Sequence, residues 1–294
     1  MSKIEVIRNK IKPFKKSIIV DGDKSISIRW ILFASLANGV SKAKNLLISE
    51  DVIAAIKTIK KLGIKVILGR KICKIYGKGI NGFKYKKNLT LNAENSGTLG
   101  RLILGLIIDS QVPIKIIGDK SLSKRDFKRI SDPLSKFGAK FKLKNNRNLP
   151  LKIVGSKNLK PISYFEKKGS AQCKSSVILA AMRTAGTTII KAKKSRNHTE
   201  ILFKYLKLPI NIKSKGNFDF IEVTGLKQFN AFDYIVPGDI SSSAFFIVLT
   251  TLSKNSKIKI KNININKSRI GIIKILKKMN CKIILKNKKI YKGE

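Results

Sequence analysis

Hydrophobic and polar positions alternate along this chain with two periods that take turns. A short apolar strand, SIIV, ends at Val20. Behind the turn pair Asp21-Gly22, the residues Ile26, Ile28, Ile31, Leu32 and Leu36 recur at roughly helical spacing, which predicts a helix starting between Asp23 and Ser27. A second, amphipathic helix is predicted from Ser49-Glu50-Asp51 through AAIKTIKKLG, with acids at its start and lysines near its end, as the helix dipole favours. Strand patterns follow at GIKVIL and around Cys73 to Tyr76. The order strand, helix, strand, helix, strand, strand then recurs.

The recurrence has a measurable period. The second helices end alike, in KKLGIKVIL, SKFGAKFKL, KYLKLPINI and KKMNCKIIL, with turn positions at Gly63, Gly138, Pro209 and Asn280, steps of 75, 71 and 71 residues. The first helices open on DKSISIR, NSGTLGR, GSAQCKSS and GDISSSAF, and Ser25, Ser96, Ala171 and Ser242 are spaced by 71, 75 and 71. Solenoid repeats run to roughly 20–50 residues; a longer period predicts compact βαβαββ layers. The first helices carry the more apolar runs (LILGLII, VILAAM, FFIVL), so they are expected inside, with the amphipathic second helices outside and the first-helix N-termini converging.

Composition changes this picture little. The chain has 294 residues, 43% of them hydrophobic, enough for one large domain or two moderate ones. Its net charge of +46 suggests a polyanion partner, but the lysines are spread along the whole chain and rise together with Ile and Asn. That pattern fits a biased coding background, and with 7% aromatics it gives no reason to expect a specific nucleic-acid partner. Cys73, Cys173 and Cys281 share no CxxC spacing and there is one histidine, so neither a disulfide framework nor a metal site is expected. No signal-peptide core or membrane-length apolar run is present; a cytoplasmic monomer without a membrane association is the expectation.

Chemistry-bearing residues cluster at the predicted helix starts. Lys24, Ser25 and Arg29 surround free backbone N–H groups at the positive end of a helix dipole, an anion site of phosphate or carboxylate type, or else an ordinary capped helix with two exposed cations. Asn95, Ser96, Gly97 and Thr98 form a second such start, where Gly97 would let a ligand approach the backbone or simply serve a turn. Lys124 and Arg125 alone read as a solvated charge run. GSAQCKSS supplies hydroxyls, Gln172 and Lys174; KSRNHTE adds Ser195, Arg196 and His198, the last read as a cap or surface residue.

Taken together, DGDKSISIR, NSGTLGR, SLSKRDF, SAQCKS and SRNHTE resemble, in order, five motifs of the 5-enolpyruvylshikimate-3-phosphate synthase family. The resemblance runs from about Val20 to the last residues. It implies an α/β, two-domain enolpyruvyl transferase fold of the inside-out α/β barrel type, built from six βαβαββ units of which about four are present here. It implies transfer of the enolpyruvyl group of phosphoenolpyruvate to the 5-hydroxyl of shikimate 3-phosphate, with release of phosphate and without a metal or cofactor. By motif, Lys24, Ser25, Arg29, Thr98, Ser170, Ala171, Gln172, Ser195 and Arg196 would bind shikimate 3-phosphate; Lys24, Gly97, Arg125 and Gln172 would bind phosphoenolpyruvate.

Two residues depart from the family pattern: Glu94 stands at a usual glycine and Asp126 at a usual proline. No residue matches the family's acid–base carboxylates, so catalytic residues stay unassigned, and the chain is expected to be C-terminally truncated and inactive alone, at most binding shikimate 3-phosphate. Residues 19–237 are expected to form a three-unit domain, with 1–18 and 238–294 one unit of a second. A related enolpyruvyl transferase acting on UDP-N-acetylglucosamine is the alternative; Lys24-Ser25 and the positions of Cys73 and Cys173 argue against it.

Overall fold

The first predicted helix forms because Asp23 caps it, its Oδ1 accepting from the Ile26 N–H at 3.0 Å. In the computed structural model, which describes residues 11–294, strand β1 (Lys15–Ile19) precedes this helix. The first repeat comprises α1 (Lys24–Leu36), β2 (Asn38–Lys44), α2 (Glu50–Lys61), β3 (Lys65–Leu68) and β4 (Ile72–Lys78). The second comprises β5 (Thr90–Asn92), α3 (Gly97–Leu106), β6 (Ile114–Ile117), α4 (Lys120–Ser123), α5 (Lys128–Ser135), β7 (Lys140–Lys144) and β8 (Asn148–Val154). The third comprises β9 (Ser163–Glu166), α6 (Ala171–Met182), β10 (Thr187–Lys193), α7 (His198–Tyr205), β11 (Ile210–Lys215) and β12 (Phe218–Thr224). Then come β13 (Tyr234–Ile235), α8 (Ile240–Leu252), β14 (Lys257–Lys261) and α9 (Gly271–Lys278).

By its contacts the chain divides into two units. The larger holds Gly22–Val236 with Lys289–Glu294, the smaller the described residues up to Asp21 with Pro237–Lys288. In the larger unit each repeat contributes one four-stranded sheet of the same pattern: a parallel outer pair, then two antiparallel partners. The orders are β13-β2-β4-β3, β5-β6-β8-β7 and β9-β10-β12-β11. The sequence pattern places the strand ending at Val20 at the head of the first repeat. In the structure that place belongs to β13, which runs parallel to β2, while β1 pairs parallel with β14 in the smaller unit.

The three first helices of the larger unit, α1, α3 and α6, lie inside, as their apolar runs require. Every α1 residue after Lys24 is buried, including Trp30 and Phe33 at 0% exposure, and Phe33 meets Phe203 of α7 edge-on at 5.6 Å between ring centres. The strands close over the ends of these helices at a glycine each time. A Cβ on Gly77, Gly155 or Gly225 would lie 2.2, 2.1 or 1.9 Å from the carbonyl oxygens of Ala37, Ile108 and Thr184. Such distances exclude any side chain, so the repeat is written in packing as well as in sequence.

The smaller unit is less complete. Of α8 only Ile240 and Ser243 are buried, while Phe245 is 79% and Leu252 80% exposed. The strands expected after Asn280 are not formed among the described residues, since a strand needs a neighbour to take its backbone hydrogen bonds and β14 has only β1. Residues 289–294, assigned from the sequence to the second domain, group with the larger unit instead. Tyr291 packs edge-on against Tyr234 at 5.6 Å, and its hydroxyl accepts from the Ile235 N–H. The expectation for 1–18 falls in part on residues 1–10, outside the described residues.

Candidate active site

Helix α1 brings Ser25 and Arg29 to one face, a turn apart, both buried at 8% and 3% exposure. The Arg29 guanidinium donates to the Ser25 carbonyl at 3.1 Å, to Ser175 Oγ of α6 at 3.1 Å and to Thr199 Oγ1 of α7 at 2.8 Å. Burial pulls its pKa down to about 10; Glu200, Asp23 and Glu294 oppose that fall, and the charge of Arg196 adds to it. A guanidinium shifted this far is still charged at neutral pH. Lys24, exposed at the head of α1, pairs with Asp51 at 3.4 Å.

Helices α3 and α6 repeat the arrangement. Ser96 and Ser170 cap them, accepting from the N–H groups of Leu99 and Cys173. The Gln172 amide spans the pair: its Nε2 donates to Thr98 Oγ1 at 3.0 Å, and its Oε1 accepts from Arg101. Arg101 also lies over the Phe127 ring at 5.6 Å, and burial holds its pKa below the ordinary arginine value. Gly97 begins α3 where a Cβ would come within 2.9 Å of Arg125 Nη1, so the absence of a side chain lets that exposed guanidinium approach the helix start.

The start of α7 completes the set. Thr199 and Ser175 share a hydrogen bond at 2.7 Å beneath Arg29. Lys174 and Glu200 form an ion pair at 2.6 Å between α6 and α7, their side chains 0% and 4% exposed. His198 is buried, not a surface residue: its Nδ1 lies 2.5 Å from Glu294 Oε1. Ser195 Oγ is buried just before the helix without a hydrogen-bond partner among the described residues, next to the exposed Arg196.

The structure thus brings Ser25, Arg29, Thr98 and Gln172 into two hydrogen-bonded groups joined through α6, and sets Gly97 against Arg125. Ala171 and Ser170 stand at the same helix start, whereas Lys24 is turned to Asp51. Sequence reasoning passed over Arg101, Ser175 and Thr199, each lying inside a quoted motif but of a residue type with no distinctive spacing.

The two departures have local explanations. Glu94 has φ +48°, the left-handed region that favours glycine, and its carboxylate accepts from Asn92 Nδ2 at 2.8 Å. Asp126 accepts from Arg147 at 3.0 Å and from the Arg129 N–H at 3.4 Å; burial works against its charge, yet these bonds hold its carboxyl below the usual carboxylate range. Neither Cys73 nor Cys173 offers a ready nucleophile: they are 1% and 3% exposed, and burial raises both thiols, Cys73 to about 11. Among the described residues no group of three His, Cys, Asp or Glu could hold a metal, and no helix is long and apolar enough to cross a membrane.

A buried guanidinium near the N-terminal ends of α1, α6 and α7, where the helix dipoles are positive, favours a bound anion. Comparison with known proteins bears on which anion. A family profile described as EPSP synthase (3-phosphoshikimate 1-carboxyvinyltransferase) matches residues 8–293. The 3-phosphoshikimate 1-carboxyvinyltransferase of Streptococcus agalactiae serotype III (strain NEM316) is 42% identical over 273 residues, 92% of this chain and 63% of the relative. That of Streptococcus thermophilus (strain ATCC BAA-491 / LMD-9) is 39% identical over 281 residues, 95% of this chain and 65% of the relative. A solved structure of EPSP synthase from Acinetobacter baumannii matches at 32% identity with a TM-score of 0.86, covering 96% of this chain and 63% of that one. The chain therefore spans less than two thirds of the length of these relatives.

Proposed function

This chain belongs to the EPSP synthase family, and from that premise we propose that it binds shikimate 3-phosphate and phosphoenolpyruvate and transfers the enolpyruvyl group to the 5-hydroxyl of shikimate 3-phosphate, releasing phosphate. Lys24, Ser25, Arg29, Thr98, Ser170, Ala171, Gln172, Ser195 and Arg196 take shikimate 3-phosphate in this reading. Lys24, Gly97, Arg125 and Gln172 take phosphoenolpyruvate.

One observation carries the reading: Arg29 is buried and held by α1, α6 and α7 together. Burying a guanidinium costs free energy that three hydrogen bonds and the nearby charges of Glu200, Asp23 and Glu294 offset only in part, in line with the lowered pKa of Arg29, so a bound anion is what such a site favours. Two anionic substrates side by side repel, and cations contributed by α1, α3 and the 124–125 loop would offset that repulsion. The acid–base role is assigned to no residue.

Calorimetric titration of the full chain tests this. Saturable binding of shikimate 3-phosphate, and of phosphoenolpyruvate in its presence, is expected, with phosphate release once both are bound. Binding of UDP-N-acetylglucosamine in preference to shikimate 3-phosphate would overturn the assignment. A second reading, binding without turnover, has its own support in α8, which exposes Phe245 and Leu252 where its counterparts α1, α3 and α6 are buried. Shikimate 3-phosphate binding with no phosphate release would select it.

A further inference from the structure

An open surface groove of about 690 Å³ lies at the C-terminal end of α2, between β4 and the segment leading into β5. Lys60, Lys61, Lys78, Lys84, Lys86 and Lys87 line it, and no carboxylate does. Lysine supplies six of the ten lining residues and 53 of the 294 in the chain; all six are exposed. Lys60 and Lys61 sit where the carbonyl end of α2 favours cations. The other four come from β4 and the 84–87 segment and have no such reason to gather. None of the six is in an ion pair among the described residues, in contrast to Lys24 and Lys174.

Part of the wall is pre-set. Lys61 Nζ donates to the Thr90 carbonyl at 2.9 Å and Lys78 Nζ to the Gly63 carbonyl at 2.8 Å, so two ammonium groups are fixed at the rim without losing their charge. Each keeps two further N–H donors. Gathered ammonium groups repel one another, and a ligand carrying several negative charges within a few ångströms would relieve that repulsion.

We propose that this groove binds a small oligophosphate, a chain of two or three linked phosphates, inorganic or carried by a nucleoside. Lysine suits such a ligand because it acts as a rotatable point charge, where a single carboxylate or phosphate is better matched by the arginine fork. The site is separate from the anion site at the first-helix N-termini. Lys24 is tied there to Asp51 near the start of α2, and Lys60 lies nine residues further on, about 14 Å along the helix at 1.5 Å per residue.

The experiment is calorimetric titration of the full chain with inorganic tripolyphosphate near 0.15 M salt, about the physiological level. One saturable site is expected. The double variant Lys78→Ala/Lys84→Ala should weaken it about tenfold or more, the scale of losing charge-assisted bonds. Lys142→Ala/Lys152→Ala, which removes the same charge from equally exposed positions on β7 and β8 outside the groove, should change it less than about twofold. Adenosine triphosphate should show the same dependence on Lys78 and Lys84, and Arg29→Ala should leave tripolyphosphate binding unchanged. Equal losses in the two double variants would reduce the effect to net charge. Loss of binding in Arg29→Ala would move the ligand to the other site. Either result, or the absence of saturable binding, overturns the proposal.

Discussion

Arg29 Nε donates to Thr199 Oγ1 at 2.8 Å across 170 residues of sequence. The bond ties the first turn of α7 to the second turn of α1, and Ser175 of α6 joins both through its hydroxyl. Three helices from two repeats are thereby locked at their N-terminal ends around one guanidinium. The same contact makes Arg29 the most informative residue to change.

Replacing Arg29 by Ala should weaken shikimate 3-phosphate binding by at least about tenfold, the scale of a lost charge-assisted bond. The fold should survive, because Ser175 and Thr199 already bond each other at 2.7 Å. Arg29→Lys should not restore affinity, since one ammonium cannot reproduce a fork that meets partners on three helices. Calorimetry beside circular dichroism separates the two effects; parent-like affinity in Arg29→Ala would remove Arg29 from the site.

The pH dependence follows from the lowered pKa of Arg29. Burial favours its neutral form and pulls the guanidinium's pKa down from the ordinary arginine value to about 10. Anion affinity owed to this charge is present below that pH and is lost as pH rises through it. The ratio of parent to Arg29→Ala affinity should stay level from pH 7 to about 9 and close toward one above about 10. Using the ratio cancels the titration of the many lysines. A ratio that fell by pH 8 would contradict the assignment.

Lys174 and Glu200 should behave as a buried pair. Lys174→Met alone leaves a carboxylate buried at 4% exposure without its cation and should cost about 3–5 kcal/mol in denaturant unfolding. The double variant Lys174→Met/Glu200→Leu should recover most of that loss, because two apolar side chains of similar volume need no partners. If the double variant were as unstable as the sum of the single ones, the pair would not be coupled.

Glu94→Gly should stabilise the chain. At φ +48° a side chain costs about 1–2 kcal/mol that glycine avoids; glycine keeps the backbone N–H bond to Asn92 and loses only the bond from Asn92 Nδ2 to the carboxylate, which recovers part of that cost. A net gain of about 1 kcal/mol would raise the melting temperature by about 2–4 °C. A fall instead would show that the Asn92–Glu94 side-chain bond outweighs the backbone strain.

Gly105→Ala probes the crossing of α3 and α6. The added methyl would lie 2.2 Å from the Ser176 carbonyl oxygen, so the helices must part. Overpacking of this kind costs about 1–3 kcal/mol, and because Thr98 and Gln172 bridge the same two helices, phosphoenolpyruvate binding should weaken as well. An unchanged denaturation midpoint would mean that the crossing is loose.

The sequence by itself determined the repeat, because the features that mark it are local. Helix caps such as Asp23, Ser96 and Ser170 act within three residues, and the apolar runs of α1, α3 and α6 need burial wherever they end up. It also brought DGDKSISIR, NSGTLGR and GSAQCKSS forward as helix starts. Tertiary structure alone decided what those starts do to one another. Strand β13 is two residues long and carries no pattern, yet it closes the first sheet because β2 needs a neighbour for its backbone groups. Ser175 and Thr199 are ordinary hydroxyls until packing sets them under Arg29, and His198 reads as a cap until the tail buries it against Glu294. The gathering of six lysines around one groove was equally invisible in a chain where lysine is everywhere. Local signals survive in one dimension because their partners are a turn away; partners a hundred residues apart meet only once the helices have packed.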